Sequence, residues 1–206
     1  MELHKLQYIT NGASHQEIID EVKAVLNAGC KWIQLRIKQD ELDIETIAKE
    51  VQLLCANTAV FLINDRVELA KKLNADGVHL GLEDMPISQA RHLLGEGKII
   101  GGTANQLKDC LKHQLAGANY IGLGPFRTTN TKKKLSPILG LKGYNHIVPK
   151  SDCTLRIPVF AIGGLTLEDI KLLKKETGIT GVAVSGLVRT ASNKKDLVER
   201  INKILN

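Results

Sequence analysis

Two acidic residues stand just past short apolar runs: Asp65 follows Phe61-Leu62-Ile63, and Asp84 follows Val78-His79-Leu80-Gly81. The stretch 67–73 between them has helical composition, so strand, helix and strand succeed one another in the space of one βαβ unit, and strands joined in that way run parallel. Their C-terminal ends then lie side by side. Both carboxylates fall on the face where α/β folds keep their ligand sites, beside the amide of Asn64. Two converging carboxylates suit a hard cation that prefers oxygen ligands, Mg2+ above all.

Other runs end in groups suited to anions. In Gln34-Leu35-Arg36-Ile37-Lys38, alternation puts Gln34, Arg36 and Lys38 on one side of a strand, which reads either as an anion-binding comb or as a rim of solvated charge. Residues 122–134 form a long polar segment in which hydroxyls precede three lysines, either a binding loop or a basic surface loop. Ile162-Gly163-Gly164-Leu165-Thr166 and Val184-Ser185-Gly186 let backbone N–H groups approach a phosphate ahead of helix starts. Thr103 offers a hydroxyl to the same side, although its local pattern reads first as an N-cap for the next helix. His79 reads as a core histidine, and His4, His15, His92, His113 and His146 show no spacing that suggests a metal or a triad. Cys30, Cys55, Cys110 and Cys153 lie far apart without a CxxC pair and read as buried free thiols.

What must position these residues is an alternation, eight times over, of short β-branched or apolar runs with amphipathic stretches of about ten to fifteen residues. The strands fall at 6–10, 32–36, 59–63, 77–80, 99–102, 120–123, 158–162 and 181–184, and a last helix at 194–205. Helix starts are marked by Ser14-His15-Gln16-Glu17, a capping-box pattern, and by Thr166-Leu167-Glu168-Asp169. Eight such units predict a (β/α)8 TIM barrel, with a doubly wound open sheet as the alternative. No linker or composition break divides residues 1–206, so a single domain is expected.

A net charge of +6 favours anionic ligands, while 3% aromatic residues leave few platforms for stacking nucleobases. Small phosphorylated substrates fit better than nucleic acid. The opening MELHKLQYITNG lacks the apolar core of a signal peptide, and no run reaches the length of a membrane span, so a soluble cytoplasmic protein is expected.

Taken together, QLRIK at 34–38, LINDR at 62–66, DGVHLGLEDMP at 76–86, GLGP at 122–125 with TNTKK at 129–133, AIGGL at 161–165 and VSG at 184–186 resemble the thiamine-phosphate synthase family, in order and over nearly the whole chain. The resemblance implies a transferase that couples 4-amino-5-hydroxymethyl-2-methylpyrimidine diphosphate to a thiazole phosphate, releasing pyrophosphate. It implies that Gln34, Arg36, Lys38, Asn64, Thr103 and Lys132 hold the pyrimidine diphosphate, with Arg36, Thr103 and Lys132 acting in catalysis. Asp65 and Asp84 would hold Mg2+, and Thr129, Thr131, Gly164, Val184 and Ser185 the thiazole phosphate. Three positions depart from the family pattern. Thr103 and Asn105 replace its usual serine and histidine, and Ile37 replaces an acidic residue that would face away from the comb. The related thiazole tautomerase is a competing reading, but it relies on a histidine near Asn105. A non-catalytic barrel that senses a thiamine precursor is a third. Whether the chain forms a homo-oligomer is left open by the sequence.

Overall fold

The computed structural model describes residues 3–39, 41–128 and 137–206. Eight parallel strands close into a barrel in sequence order: β1 Leu6–Ile9, β2 Trp32–Leu35, β3 Val60–Asn64, β4 Gly77–Leu80, β5 Ile99–Ala104, β6 Tyr120–Leu123, β7 Val159–Ile162 and β8 Gly181–Val184, with β8 paired back to β1. Among the described residues the intervening helices are α1 His15–Asn27, α2 Ile44–Cys55, α3 Val67–Leu73, α4 Ile87–Leu94, α5 Leu107–Leu115, α6 Gly140–Ile147 and α7 Leu167–Glu176. The short α8 Gly186–Arg189 and the closing α9 Lys194–Leu205 follow β8. The closed ring rules out the open-sheet alternative, and α9 begins and ends where the sequence places it. No helix among the described residues is long and apolar enough to cross a membrane.

Strand alternation separates two cores. Outward residues such as Ile33, Phe61, Ile63, Val78, Ile100 and Ile121 pack under the helices, whose buried faces recur at helical spacing, as with Ile18, Ile19, Val22 and Val25 of α1. Inward residues Trp32, Leu62, Ile99, Tyr120 and Phe160 form a separate plug inside the ring. The three aromatic rings meet edge to face, with Trp32 5.0 Å from both Tyr120 and Phe160. Small inward neighbours make room for them: a Cβ at residue 101 would lie 2.1 Å from the Tyr120 ring. The plug closes the barrel interior, so ligands must be met at the rim.

The capping boxes differ from each other. Thr166 and Asp169 form the complete reciprocal pair at the start of α7. Ser14 caps α1 by accepting from the Glu17 amide, but the Glu17 carboxylate accepts from Ala13 N–H rather than Ser14, so only half of that box exists. The thiols fit the structural reading: burial pushes Cys30 up to about 11 and Cys55 and Cys110 up to about 12, which leaves them inert near neutral pH. Cys153 is half-buried.

Candidate active site at the barrel mouth

The C-terminal rim is built first by β3 and β4. Asp65 follows β3 at φ 64°, a left-handed conformation that Asp tolerates better than most residues. Its N–H donates to His79 O at 2.9 Å, and Arg66 N–H donates to Asn64 O at 2.8 Å, so the chain turns sharply and leaves the carboxylate at the mouth. Asp84 is drawn to the same place because Gly81 N–H donates to its Oδ2 at 2.6 Å. A Cβ at residue 81 would lie 2.8 Å from that oxygen, so the glycine provides the carboxylate's space.

The Asp65 and Asp84 side chains hydrogen-bond each other. Burial pushes the Asp84 carboxyl above its usual range, and the Asp65 neighbour adds to the effect. Burial acts on Asp65 in the same direction, but bonds from Asp84 and from Lys38 Nζ, at 2.9 Å, outweigh it and hold Asp65 below the usual range. Two carboxyls in contact concentrate negative charge that a divalent cation would neutralise. Among the described residues no cluster of three or more His, Cys, Asp or Glu side chains forms. A pair of carboxylates suits Mg2+, which takes few protein ligands and completes its shell with water and substrate phosphate oxygens. Arg36 stands close by: burial lowers its pKa and the Asp65 charge partly restores it. Its backbone is fixed by Thr10, whose Oγ1 accepts from Arg36 N–H at 2.9 Å and donates to Arg36 O at 3.1 Å.

Beneath the rim runs a buried polar chain. Gln34 is 1% exposed and lies inside the barrel, below Arg36 and Lys38 of its comb. Its Nε2 donates to Gln7 Oε1 at 3.2 Å, Gln7 Nε2 donates to the Tyr120 hydroxyl at 3.0 Å, and the Gln34 side chain also bonds that hydroxyl. The Tyr120 oxygen then has its proton left for His79 Nδ1, 2.9 Å away. In the tautomer in which Nδ1 accepts, His79 Nε2–H donates to Thr103 Oγ1 at 2.9 Å and leaves the Thr103 O–H to be donated elsewhere.

Thr103 lies within β5 rather than after it, and the N-cap position of α5 is Gln106, so the N-cap reading of Thr103 is corrected. The reason is that β5 runs two residues longer than its apolar pattern suggests. His79 is the core histidine that the sequence indicates, at 6% exposure. Local sequence gives Gln7, Tyr120 and His113 no role at the mouth. His113 Nε2–H donates to Thr103 O at 2.8 Å, and its ring fills the space over Gly102. The only local hint for Gln7 is a polar residue in an otherwise apolar strand.

Across the mouth, Gly163 and Gly164 turn at φ 91° and 68°. Phe126 N–H donates to Ile162 O at 2.9 Å and Arg127 N–H to Gly163 O at 3.0 Å, so the segment after β6 lies along this turn. Val184 ends β8, buried, and the Ser185 Oγ beside it is buried with no hydrogen-bond partner among the described residues. An unmet buried hydroxyl costs about 1–3 kcal/mol, which a phosphate oxygen would recover. Asn105 Nδ2 donates to Gly124 O, tying the ends of β5 and β6 together. Asn64 ends β3, in register with His79. Thr129, Thr131 and Lys132 lie outside the described residues.

The description "Thiamine monophosphate synthase" belongs to the family model that matches residues 6–188. The chain is 52% identical to a thiamine-phosphate synthase of Flavobacterium johnsoniae, over 98% of this chain and 96% of that protein. It is 48% identical to one of Bacteroides fragilis, with 98% of each covered. Among solved structures, a thiamine phosphate pyrophosphorylase from Pyrococcus furiosus superposes with a TM-score of 0.82 at 33% identity, covering 98% of this chain and 95% of that one.

Proposed function

The chain belongs to the thiamine monophosphate synthase family, and from that premise we propose that its barrel mouth joins 4-amino-5-hydroxymethyl-2-methylpyrimidine diphosphate to a thiazole phosphate with Mg2+ held by Asp65 and Asp84. The observation that carries the reading is the contact between those two carboxyls beside Lys38 and Arg36, at one rim of a closed barrel. In the reaction the bond from the pyrimidine methylene to the diphosphate oxygen breaks, and its electron pair leaves with the diphosphate. The methylene cation is stabilised by the aminopyrimidine ring, and the thiazole nitrogen lone pair closes the new C–N bond. No side-chain nucleophile is needed.

Bound between Asp65 and Asp84, Mg2+ would neutralise the charge that grows on the leaving diphosphate. Arg36 and Lys38 add fixed positive charge on the same side, and Lys132 is assigned the same task from the sequence. Thr103 donates its free O–H toward a diphosphate oxygen. The Gly163–Gly164 turn, Val184 and Ser185 receive the thiazole phosphate, together with Thr129 and Thr131 of the loop after β6. Holding the two rings in line and keeping water from the cation is the remaining contribution. The tautomerase alternative finds no support at Asn105, whose amide is spent on Gly124 O and is not an acid–base group.

Mixing both substrates with Mg2+ is expected to yield pyrophosphate and thiamine phosphate in equal amounts. Binding of each substrate without pyrophosphate release would overturn the reading in favour of a sensor. Thr103→Val tests the hydroxyl: losing a hydrogen bond to a charged oxygen, worth about 1.5–3 kcal/mol, should lower kcat/KM roughly ten- to a hundredfold. It also removes the hydroxyl 2.9 Å from His79 Nε2, so melting should fall as well. Thr103→Ser should restore both. A lowered melting temperature with wild-type kcat/KM would confine Thr103 to the fold.

A further inference from the structure

Arg127 comes from the segment after β6, yet its guanidinium reaches across to the start of α7. Its Nε donates to Asp169 Oδ2 at 2.8 Å and its Nη2 to Oδ1 at 2.7 Å, a two-pronged pair spanning 42 residues of sequence. The Asp169 side chain is 3% exposed, whereas that of Arg127 is 58% exposed. The same carboxylate accepts from Thr166 N–H at 3.0 Å and from Thr166 Oγ1 at 2.9 Å. A helix cap is complete with Thr166 alone; it does not need an arginine from another βα unit.

What the arginine adds is a tie between two pieces of backbone. Residues 126–128 lie against the Gly163–Gly164 turn, held by the Phe126 and Arg127 N–H bonds to Ile162 and Gly163 carbonyls. The fit is close: a Cβ at residue 164 would lie 2.6 Å from Thr128 O and 2.9 Å from Arg127 Cβ. Phe126 anchors the segment from below, its ring 5.6 Å from that of Tyr144. Both glycines sit in left-handed conformations that their own sequence does not enforce, so the packed segment selects the turn's shape.

We propose that Arg127 and Asp169 are positioning residues: their ion pair clamps residues 126–128 onto the Gly163–Gly164 turn and thereby sets the affinity of the mouth for the phosphate of the thiazole substrate. The inference rests on the assignment of that turn to the thiazole phosphate. Most of the groups assigned to the diphosphate, those on β2, β3 and β4, stand across the barrel from the clamp, so binding of that substrate should respond less.

The test is calorimetric binding of thiazole phosphate to the full chain, together with KM for each substrate, in Arg127→Met, Arg127→Lys and Thr166→Val. Arg127→Met keeps the stem and removes the fork. It should raise Kd and KM for thiazole phosphate about tenfold, short of the hundredfold that an ångström of misplacement can cost. KM for the pyrimidine diphosphate should stay within about twofold of wild type. Arg127→Lys, charged but unforked, should recover only part of the affinity. Thr166→Val weakens the cap while leaving the clamp, so it should lower melting temperature without changing thiazole affinity. Unchanged thiazole Kd in Arg127→Met, or equal rises in both KM values, would overturn the clamp. Failure of the wild-type protein itself to bind thiazole phosphate would instead overturn the assignment of the turn, and the clamp's purpose with it.

Discussion

Asp65→Asn is expected to lose about a hundred- to a thousandfold in kcat/KM, the range seen when one preorganised stabiliser of transition-state charge is removed, while melting close to wild type. The structure separates the two effects. Asp65 adopts φ 64°, and Asn is among the few side chains that tolerate this conformation as well as Asp does, so the turn after β3 should survive. Its Lys38 partner is more than half exposed, and an exposed pair contributes about 0–1 kcal/mol. What disappears is half of the negative charge on which the proposed cation site at Asp65 and Asp84 depends. Calorimetric titration with Mg2+ should show weakened binding in the variant, and rates should be compared at saturating Mg2+. Turnover by the wild type in the presence of a strong chelator, or an Asn variant within tenfold of wild type, would remove the metal from the reading.

Gly77→Ala should yield little folded protein. The added Cβ would lie 1.8 Å from Ile99 O, 2.6 Å from its carbonyl carbon and 2.8 Å from its nitrogen, all backbone of the neighbouring strand β5. A side chain could rotate away, but a paired strand moves only by breaking its ladder, including the Ile99 N–H bond to Asp76 O at 2.9 Å. Overpacking commonly costs about 1–3 kcal/mol, and a clash with backbone belongs above that range, at about 4 kcal/mol or more. For a chain of this length each kcal/mol moves Tm by about 2–4 °C, so a fall of about ten degrees is the least expected. Gly97→Ala, where a Cβ would meet nothing within 4 Å, is the matched control and should melt like wild type. Equal melting temperatures for the two variants would show that β4 and β5 can separate without loss.

The convergence of Asp65 and Asp84 was legible because it needs only local facts: two apolar runs, a helix between them and the parallel direction that such a unit imposes. The eight-fold alternation and the closing helix Lys194–Leu205 are of the same kind, since a repeated period is written along the chain. Thr166 and Asp169 also pair within one turn of helix, at a spacing the sequence displays. Composition and order of motifs therefore sufficed for the barrel and for bringing these two carboxylates to one rim of it.

Ring closure decided the rest. Gln7, Gln34, Tyr120, His79 and Thr103 come from five different strands, and nothing near any one of them indicates the other four. Their hydrogen bonds exist because inward side chains of distant strands meet at one level of the barrel, where each buried polar atom must find a partner. The same holds for Thr103, whose local pattern suggests a cap until the added length of β5 carries it into the sheet. Arg127 and Asp169 are an exposed cation and a capping acid when read along the chain. Only the packing of the β6 segment on the β7 turn brings them to 2.7 Å, because interactions between units depend on how the units are arranged in space rather than on their separation in sequence.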